Sequence, residues 1–269
     1  MEAKQRIAQT YSGPSNWDRV QEYEKAMRWH NAYPKRGSQA ASTALELPRG
    51  RLRTWVSGGK PDAVHAIDTA ESYGWIGSTP GDPIFEALSV LHAWVLAGGS
   101  ISKEVYTPSL AIGASDPTDL AREAFRDVGI PPQSVNDAST NRAQELRPKG
   151  SGQTHLGRFL HGVLGAPVGE KTTVGSEPLQ YLDSVPCTTL LRWCQTYVTL
   201  RGSSVDLTQE KHMMRLGEKR TRRYREALAK IFRSVVGEDA QITVTQRAIL
   251  LGGDTLTTLD QVPTLPSSC

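Results

Sequence analysis

A chain of 269 residues with 38% hydrophobic and 22% charged content is long enough to bury a core without external staples, and no apolar run nears the roughly 20 residues that span a bilayer. No membrane partner is indicated, and the polar first thirteen residues lack the apolar stretch of a secretory signal, so a cytoplasmic location is expected. The net charge of +3 is unevenly placed: eleven Lys or Arg face five acids up to Lys60, and twenty face twenty-three beyond it. Such asymmetry favours a polyanion as partner for the N-terminal quarter.

Residues 18–33 place Val20, Tyr23, Ala26, Met27 and Ala32 near one face, the spacing of an amphipathic helix that ends before Pro34. Ser38 suits the N-cap of a second helix over 39–45. After a turn at Glu46-Leu47-Pro48, a third helix is expected over 49–56, closed by Gly58-Gly59. A short helical pattern over 62–73 leads into Gly74, Gly77, Pro80 and Gly81, where a boundary is placed between domains at 1–78 and 79–262.

Beyond the boundary an apolar helix over 83–96 runs into Gly98-Gly99, strands over 100–102 and 105–112, and a helix over 117–128. Weak strand signals over 134–147 and a basic loop over 147–152 precede a helix over 155–164. The order then recurs: an apolar helix over 188–200, strands to Leu216, a charged helix over 221–236, one strand over 241–250 and a short helix over 255–260. These are two copies of a helix, strand, strand, helix unit, about 83–165 and 188–260, with a tail at 263–269 expected to lack structure. The fold class is therefore α+β, an all-α N-terminal module followed by a duplicated αββα domain with antiparallel sheets.

Two short helices joined by a tight turn, the second presenting basic side chains, form the geometry that fits a DNA major groove. Here the second helix offers Arg49, Arg51, Arg53 and Thr54, the three arginines suited to guanine edges. Leu52, Trp55 and Val56 would face Ala40, Ala41, Ala44 and Leu45, whose small alanines let the helices approach closely. Arg36, Ser38, Gln39 and Lys60 are the expected phosphate contacts. The pattern resembles the homeodomain-like helix-turn-helix of resolvases and transposases.

The run Leu91-His92-Ala93-Trp94-Val95-Leu96-Ala97-Gly98-Gly99-Ser100-Ile101, and Cys194-Gln195-Thr196-Tyr197-Val198-Thr199-Leu200-Arg201-Gly202-Ser203 in the second copy, resemble worn LAGLIDADG helices of the homing-endonuclease family. The resemblance implies two such helices side by side, each ending in an acid that holds a divalent metal, with four-stranded sheets forming a saddle over DNA. Two-metal cleavage requires those carboxylates. At their positions this chain has Gly98 and Arg201. The combination is similar to WhiA-type regulators, which join a degenerate LAGLIDADG domain to a helix-turn-helix in the opposite order.

Strand positions then make Lys103, Tyr106, Lys211, Arg215 and Arg247 the DNA-contact candidates of the larger domain. Asp82, Glu86 and Asp206, the nearest carboxylates, read as surface or capping residues. His155 and His161 share no helix face, and Gly150-Ser151-Gly152 lacks the Lys and Ser/Thr of a phosphate loop. Three cysteines without a CxxC pair suggest inert thiols. The expectation is a sequence-specific binder of double-stranded DNA, a transcriptional regulator without metal or cofactor, as monomer or homodimer. The alternative is an active homing-type or mobile-element endonuclease.

Overall fold

The computed structural model describes residues 2–13, 15–114, 116–136, 144–208 and 211–261, excepting the side chains of 206–208, 211, 212, 260 and 261. The expected tail at 263–269 lies outside the described residues. Two compact units divide the chain, Met1–Ser72 and Tyr73–Cys269. Their division falls six residues before the one suggested by the glycine and proline cluster, because Trp75 is part of the second core. Its ring stacks on Tyr73 at 5.4 Å and meets Phe159 edge-on at 5.7 Å, and its indole N–H donates to the Val128 carbonyl at 2.8 Å.

The first unit holds α1 (Ala3–Gln9), α2 (Asn16–Ala32), α3 (Ser38–Leu45), α4 (Arg49–Val56) and α5 (Asp62–Ser72). Ala26 of α2, Ala41 and Leu45 of α3, and Leu52 and Trp55 of α4 form one buried cluster, flanked by Tyr23, Met27, Trp29 and Leu47. Ala44 is exposed and Ala40 half-buried, so the close face of α3 is narrower than its alanine content suggests. Helix α1 was not expected from so polar a segment; it buries Ile7 and Ala8 and pairs Lys4 with Glu71 of α5 at 2.5 Å. Ser38 is the first helical residue rather than the cap, which is the extended Gly37.

The second unit contains the unit order twice. The first copy is α6 (Pro83–Ala97), β1 (Gly99–Ile101), β2 (Pro108–Ile112), α7 (Thr118–Asp127), β3 (Pro132–Val135), β4 (Gln144–Pro148) and α8 (Gln153–Gly162). The second is α9 (Cys187–Arg201), β5 (Gly202–Thr208), β6 (Lys211–Gly217), α10 (Arg222–Val236), β7 (Ile242–Val244), β8 (Ala248–Gly252) and α11 (Gly253–Gln261). Each copy makes one antiparallel four-stranded sheet, in the orders β1-β2-β4-β3 and β5-β6-β8-β7. The α+β class with a duplicated αββα plan is thus present, each copy carrying a further pair of strands and a closing helix.

Two local expectations change, and one connection gains structure. The single strand over 241–250 is a hairpin, because the Thr245 hydroxyl accepts the amides of Arg247 and Ala248 and turns the chain. A 3-10 segment, Glu177–Ser184, fills the connection between the copies. Cys194 is a buried free thiol, as expected, whereas Cys187 is disulfide-bonded.

Helix and strand meet almost without a loop in both copies, which demands glycine. A Cβ on Gly99 would lie 2.7 Å from the Ser109 carbonyl oxygen, and one on Gly202 would lie 2.7 Å from that of Val198. Helices α6 and α9 run side by side: Glu86 and Thr189 are hydrogen-bonded near their starts, and Arg201 reaches the Ala97 carbonyl at their ends. Every residue from Ala87 to Ala97 is buried.

The turn between α3 and α4 is strained at one point. Glu46 sits at φ 57°, the left-handed region that favours glycine. Glu46→Gly is expected to stabilise the chain by about 0.5–1 kcal/mol, and Glu46→Val to destabilise it by about 1 kcal/mol or more. Urea midpoints at unchanged m-value would show both shifts.

Candidate nucleic-acid interface

On α4 the alternation of side chains separates two faces. Leu52 and Trp55 are buried, while Arg49, Arg53 and Thr54 are exposed. Arg51 behaves differently from its neighbours: it turns onto Glu22 of α2 in a half-buried ion pair and lies 5.8 Å from the Trp55 ring centroid. It therefore fastens α4 to α2, and Arg49 and Arg53 are the freely presented arginines of the three. Thr54 spends its hydroxyl proton on the Gly50 carbonyl at 3.2 Å.

The expected phosphate contacts frame the same surface. Gln39 is exposed in the first turn of α3 and Ser38 is half-buried beside it. Arg36 is exposed, with its guanidinium 5.0 Å from the Tyr33 centroid. Lys60 is exposed and ion-paired with Asp68 at 2.5 Å.

In the second unit the helices pack on one face of each sheet. The opposite face of the second sheet carries the cross-strand row Ser203, Arg215, Leu250 and Thr243, with Arg215 exposed at its centre. Lys211 lies at the start of β6, and its side chain is outside the described ones, as is that of Asp206. Arg247 is exposed in the β7–β8 turn, not on a strand.

Lys103 and Tyr106 are likewise in the loop between β1 and β2, because β2 begins only at Pro108. Tyr106 adopts φ 54° and stacks under the Arg158 guanidinium at 4.0 Å. The outward residues of the first sheet include one that the sequence reading assigned to a loop. Arg147 of β4 ion-pairs with Glu145 at 2.6 Å, and the Ser109 hydroxyl donates to the same carboxylate at 2.5 Å. The signal that could have found it, the alternation of Glu145 and Arg147 with buried Leu146 and Pro148, is only five residues long.

The joined ends of α6 and α9 hold the buried charges found among the described residues, Glu218, Arg220 and Arg225. Lys171 donates to the carbonyls of Val95 and Gly99, Arg201 to Ala97 at 3.4 Å, and Arg220 to Leu96 at 2.5 Å. Three cations thus cover the carbonyls that a helix C-terminus leaves without partners. Glu218 is the buried counter-ion: it takes Arg220 at 2.7 Å and the Tyr197 hydroxyl proton at 2.6 Å. Burial raises the Tyr197 phenol well above its ordinary range and pushes Tyr224, under the Arg220 guanidinium, up to about 12. Arg225 donates to the Arg220 and Glu218 carbonyls, completing the network.

Midway along the same helix pair, His92 of α6 meets Tyr181 of the 3-10 segment and Trp193 of α9. The Trp193 indole N–H donates to Nδ1 at 3.1 Å, so that nitrogen carries no proton. Burial holds the imidazole neutral, its pKa lowered to about 3, with Arg220 and Lys171 adding to the effect. The sequence held no sign of this contact, since its partners lie about ninety to a hundred positions away.

The remaining carboxylates of α6 sit at its other end. Asp82 stands at the N-cap position with its carboxylate turned back to the preceding turn, accepting the Thr79 amide at 2.7 Å and its hydroxyl at 2.9 Å, and Glu86 binds Thr189. A helix of 15 residues is roughly 22 Å long, too far for either acid to serve the α6–α9 ends. No group of three or more His, Cys, Asp or Glu among the described residues could hold a metal ion, and no described helix is long and apolar enough to cross a membrane.

No protein-family model matches the chain, and no curated protein matches it. Among solved structures it is similar to full-length DUF199/WhiA from Thermatoga maritima, at 12% identity and a TM-score of 0.43, over 74% of this chain and 61% of that one. The chain therefore spans less than two thirds of that protein. It is also similar to the N-terminal LAGLIDADG domain of DUF199/WhiA, at 13% identity and 0.41, over 75% of this chain and 91% of that one. The homing endonuclease I-WcaI, bound to its DNA recognition sequence, is similar at 12% identity and 0.43, over 74% and 86%.

Burial beside Arg220 and Arg201 lowers the Lys171 ammonium from 10.5 to about 7. Between those values the unfolded chain binds more protons than the folded one, so stability contributed by this group rises with pH from about 7 to about 10.5. In urea titrations at pH 6.5 and 9.5, Lys171→Met should flatten that rise while lowering stability at both values, because the Val95 and Gly99 carbonyls lose their donor.

Proposed function

We propose that the chain is a sequence-specific binder of double-stranded DNA, a transcriptional regulator whose α3 and α4 act as the helix-turn-helix. The observation that carries this reading is the division of α4: Leu52 and Trp55 anchor it, and Arg49, Arg53 and Thr54 project from the other side. A helix held in this way can enter a major groove without losing its packing. Arg36, Gln39 and Lys60 supply phosphate contacts around it, and the exposed Arg215 of the second sheet supplies one more.

The larger domain, in this reading, contributes grip without cleavage. Where the resembling nucleases end their paired helices in metal-binding acids, this chain has Gly98 and Arg201, and it brings Lys171 and Arg220 onto the same helix end. Fixed cations at that place repel a divalent metal and provide no ligand for it. Asp82 and Glu86 are engaged at the far end of α6, and Glu218, the carboxylate at this end, is taken by Arg220 and the Tyr197 hydroxyl.

Selection of bound duplexes from a random pool gives the site on which the reading is tested. There Arg53→Ala should cost about 1–3 kcal/mol of affinity, as expected for loss of a bidentate base contact, with a much smaller effect on scrambled duplex. Fluorescence anisotropy across a salt series measures both. Equal affinity of the intact chain for selected and scrambled duplexes would sink the proposal of sequence-specific reading.

Supercoiled plasmid carrying the selected site should remain uncut in Mg²⁺ or Mn²⁺. Nicking that disappears in Asp82→Asn or Glu86→Gln would establish the nuclease alternative instead.

A further inference from the structure

The Met1–Ser72 unit contains a cleft of about 420 Å³ that borders the projecting face of α4, sharing Thr54 and Lys60 with it and leaving Arg49 and Arg53 outside. This volume falls in the range of small-molecule sites, about 300–1,000 Å³. Its walls come from the segment after α1, the first turn of α2, the last turns of α4 and the start of α5. Arg19, Arg51 and Lys60 line it, against one acid, Asp62. Trp55 adds an aromatic residue to the wall, while the Asn16 amide and the Thr54 hydroxyl donate to the Tyr11, Gly13 and Gly50 carbonyls, leaving the cations as the groups that face an anion.

Two of the three cations are already paired, Arg51 with Glu22 and Lys60 with Asp68. The pairs are about a third and about two-fifths exposed, a setting in which an ion pair contributes little and can be exchanged for another anion. Arg19 is exposed and forms no ion pair among the described residues. Three cations lining one concave, partly aromatic wall are suited to a compact anion carrying an apolar body.

We propose that this cleft binds a phosphate-bearing small molecule of up to nucleotide size, held by Arg19, Arg51 and Lys60 with its body against Trp55. Drawing Arg51 away from Glu22 loosens the fastening of α4 to α2, so occupancy of the cleft is thermodynamically linked to what α4 binds. The linkage rests on the DNA-binding reading; the binding of the ligand does not.

Isothermal titration of the full chain with adenosine 5′-monophosphate, and separately with inorganic phosphate, at constant ionic strength tests the site directly. Saturable one-to-one binding of the nucleotide is expected, tighter than that of phosphate, weakened at least tenfold in Arg19→Glu and largely retained in Arg19→Lys. Circular dichroism and the unfolding midpoint of both variants should match the parent chain, since Arg19 is exposed. Absence of saturable binding to the parent, or equal binding by parent and Arg19→Glu, would overturn the proposal.

A second arm separates the two sources of phosphate. If the nucleotide shifts affinity for the selected duplex, and Arg19→Glu removes that shift while leaving nucleotide-free duplex binding unchanged, the free ligand is the occupant. If Arg19→Glu weakens duplex binding in the absence of nucleotide and the nucleotide competes with duplex, the seat belongs to the DNA backbone and the small-molecule proposal falls. Nucleotide binding by a chain that binds no duplex would overturn the DNA reading alone.

Discussion

Burial of α6 over its whole second half creates a demand that the rest of the larger domain answers. The last carbonyls of a helix have no intrahelical partner, and those of α6 are sealed from water by the packing of Ala87 to Ala97. Lys171, Arg201 and Arg220 meet them from three separate parts of the chain, one before the 3-10 segment, one at the end of α9 and one after β6. The negative end of the helix dipole and the single carboxylate of Glu218 offset the cost of bringing these charges inside. The two copies are thereby joined by charge as well as by the apolar contact that places Ala93, Leu96 and Ala97 in the core of the second copy.

The same constraint acts where the two copies touch. Both keep glycine at the helix-to-strand junction, because any larger residue would collide with backbone carbonyls. Just before it, Gly98 in one copy is answered by Arg201 in the other, a pairing in which the second supplies the cation that the first needs. On the outward faces the divergence continues. The first sheet locks Arg147 to Glu145, and the second leaves Arg215 open to solvent.

How much of this was legible beforehand depended on the length of the periodic signal. The helices over 83–97 and 187–201 were apparent because fifteen residues of apolar pattern outweigh any local ambiguity, and the repeated order around them gave the duplicated αββα plan. Strands of three to five residues, such as β3, β7 and β8, carry too few alternations to be separated from turns, and the Thr245 turn that divides the last two rests on a side-chain hydrogen bond. Helix α1 was missed because a seven-residue polar segment acquires its apolar face only from Ile7 and Ala8 docking beneath α5.

By itself the sequence determined the order of the longer helices, the duplication, the basic α4 with its buried Leu52 and Trp55, and the absence of acids at positions 98 and 201. These follow from local periodicity and residue identity. Only the tertiary structure decided which charges are spent and which are presented. Glu22 lies 29 positions before Arg51, and Lys171 lies 72 and 76 positions after the carbonyls it covers. Ion pairs and helix caps at such separations leave no periodic trace in the chain, because their partners are chosen by packing rather than by neighbourhood.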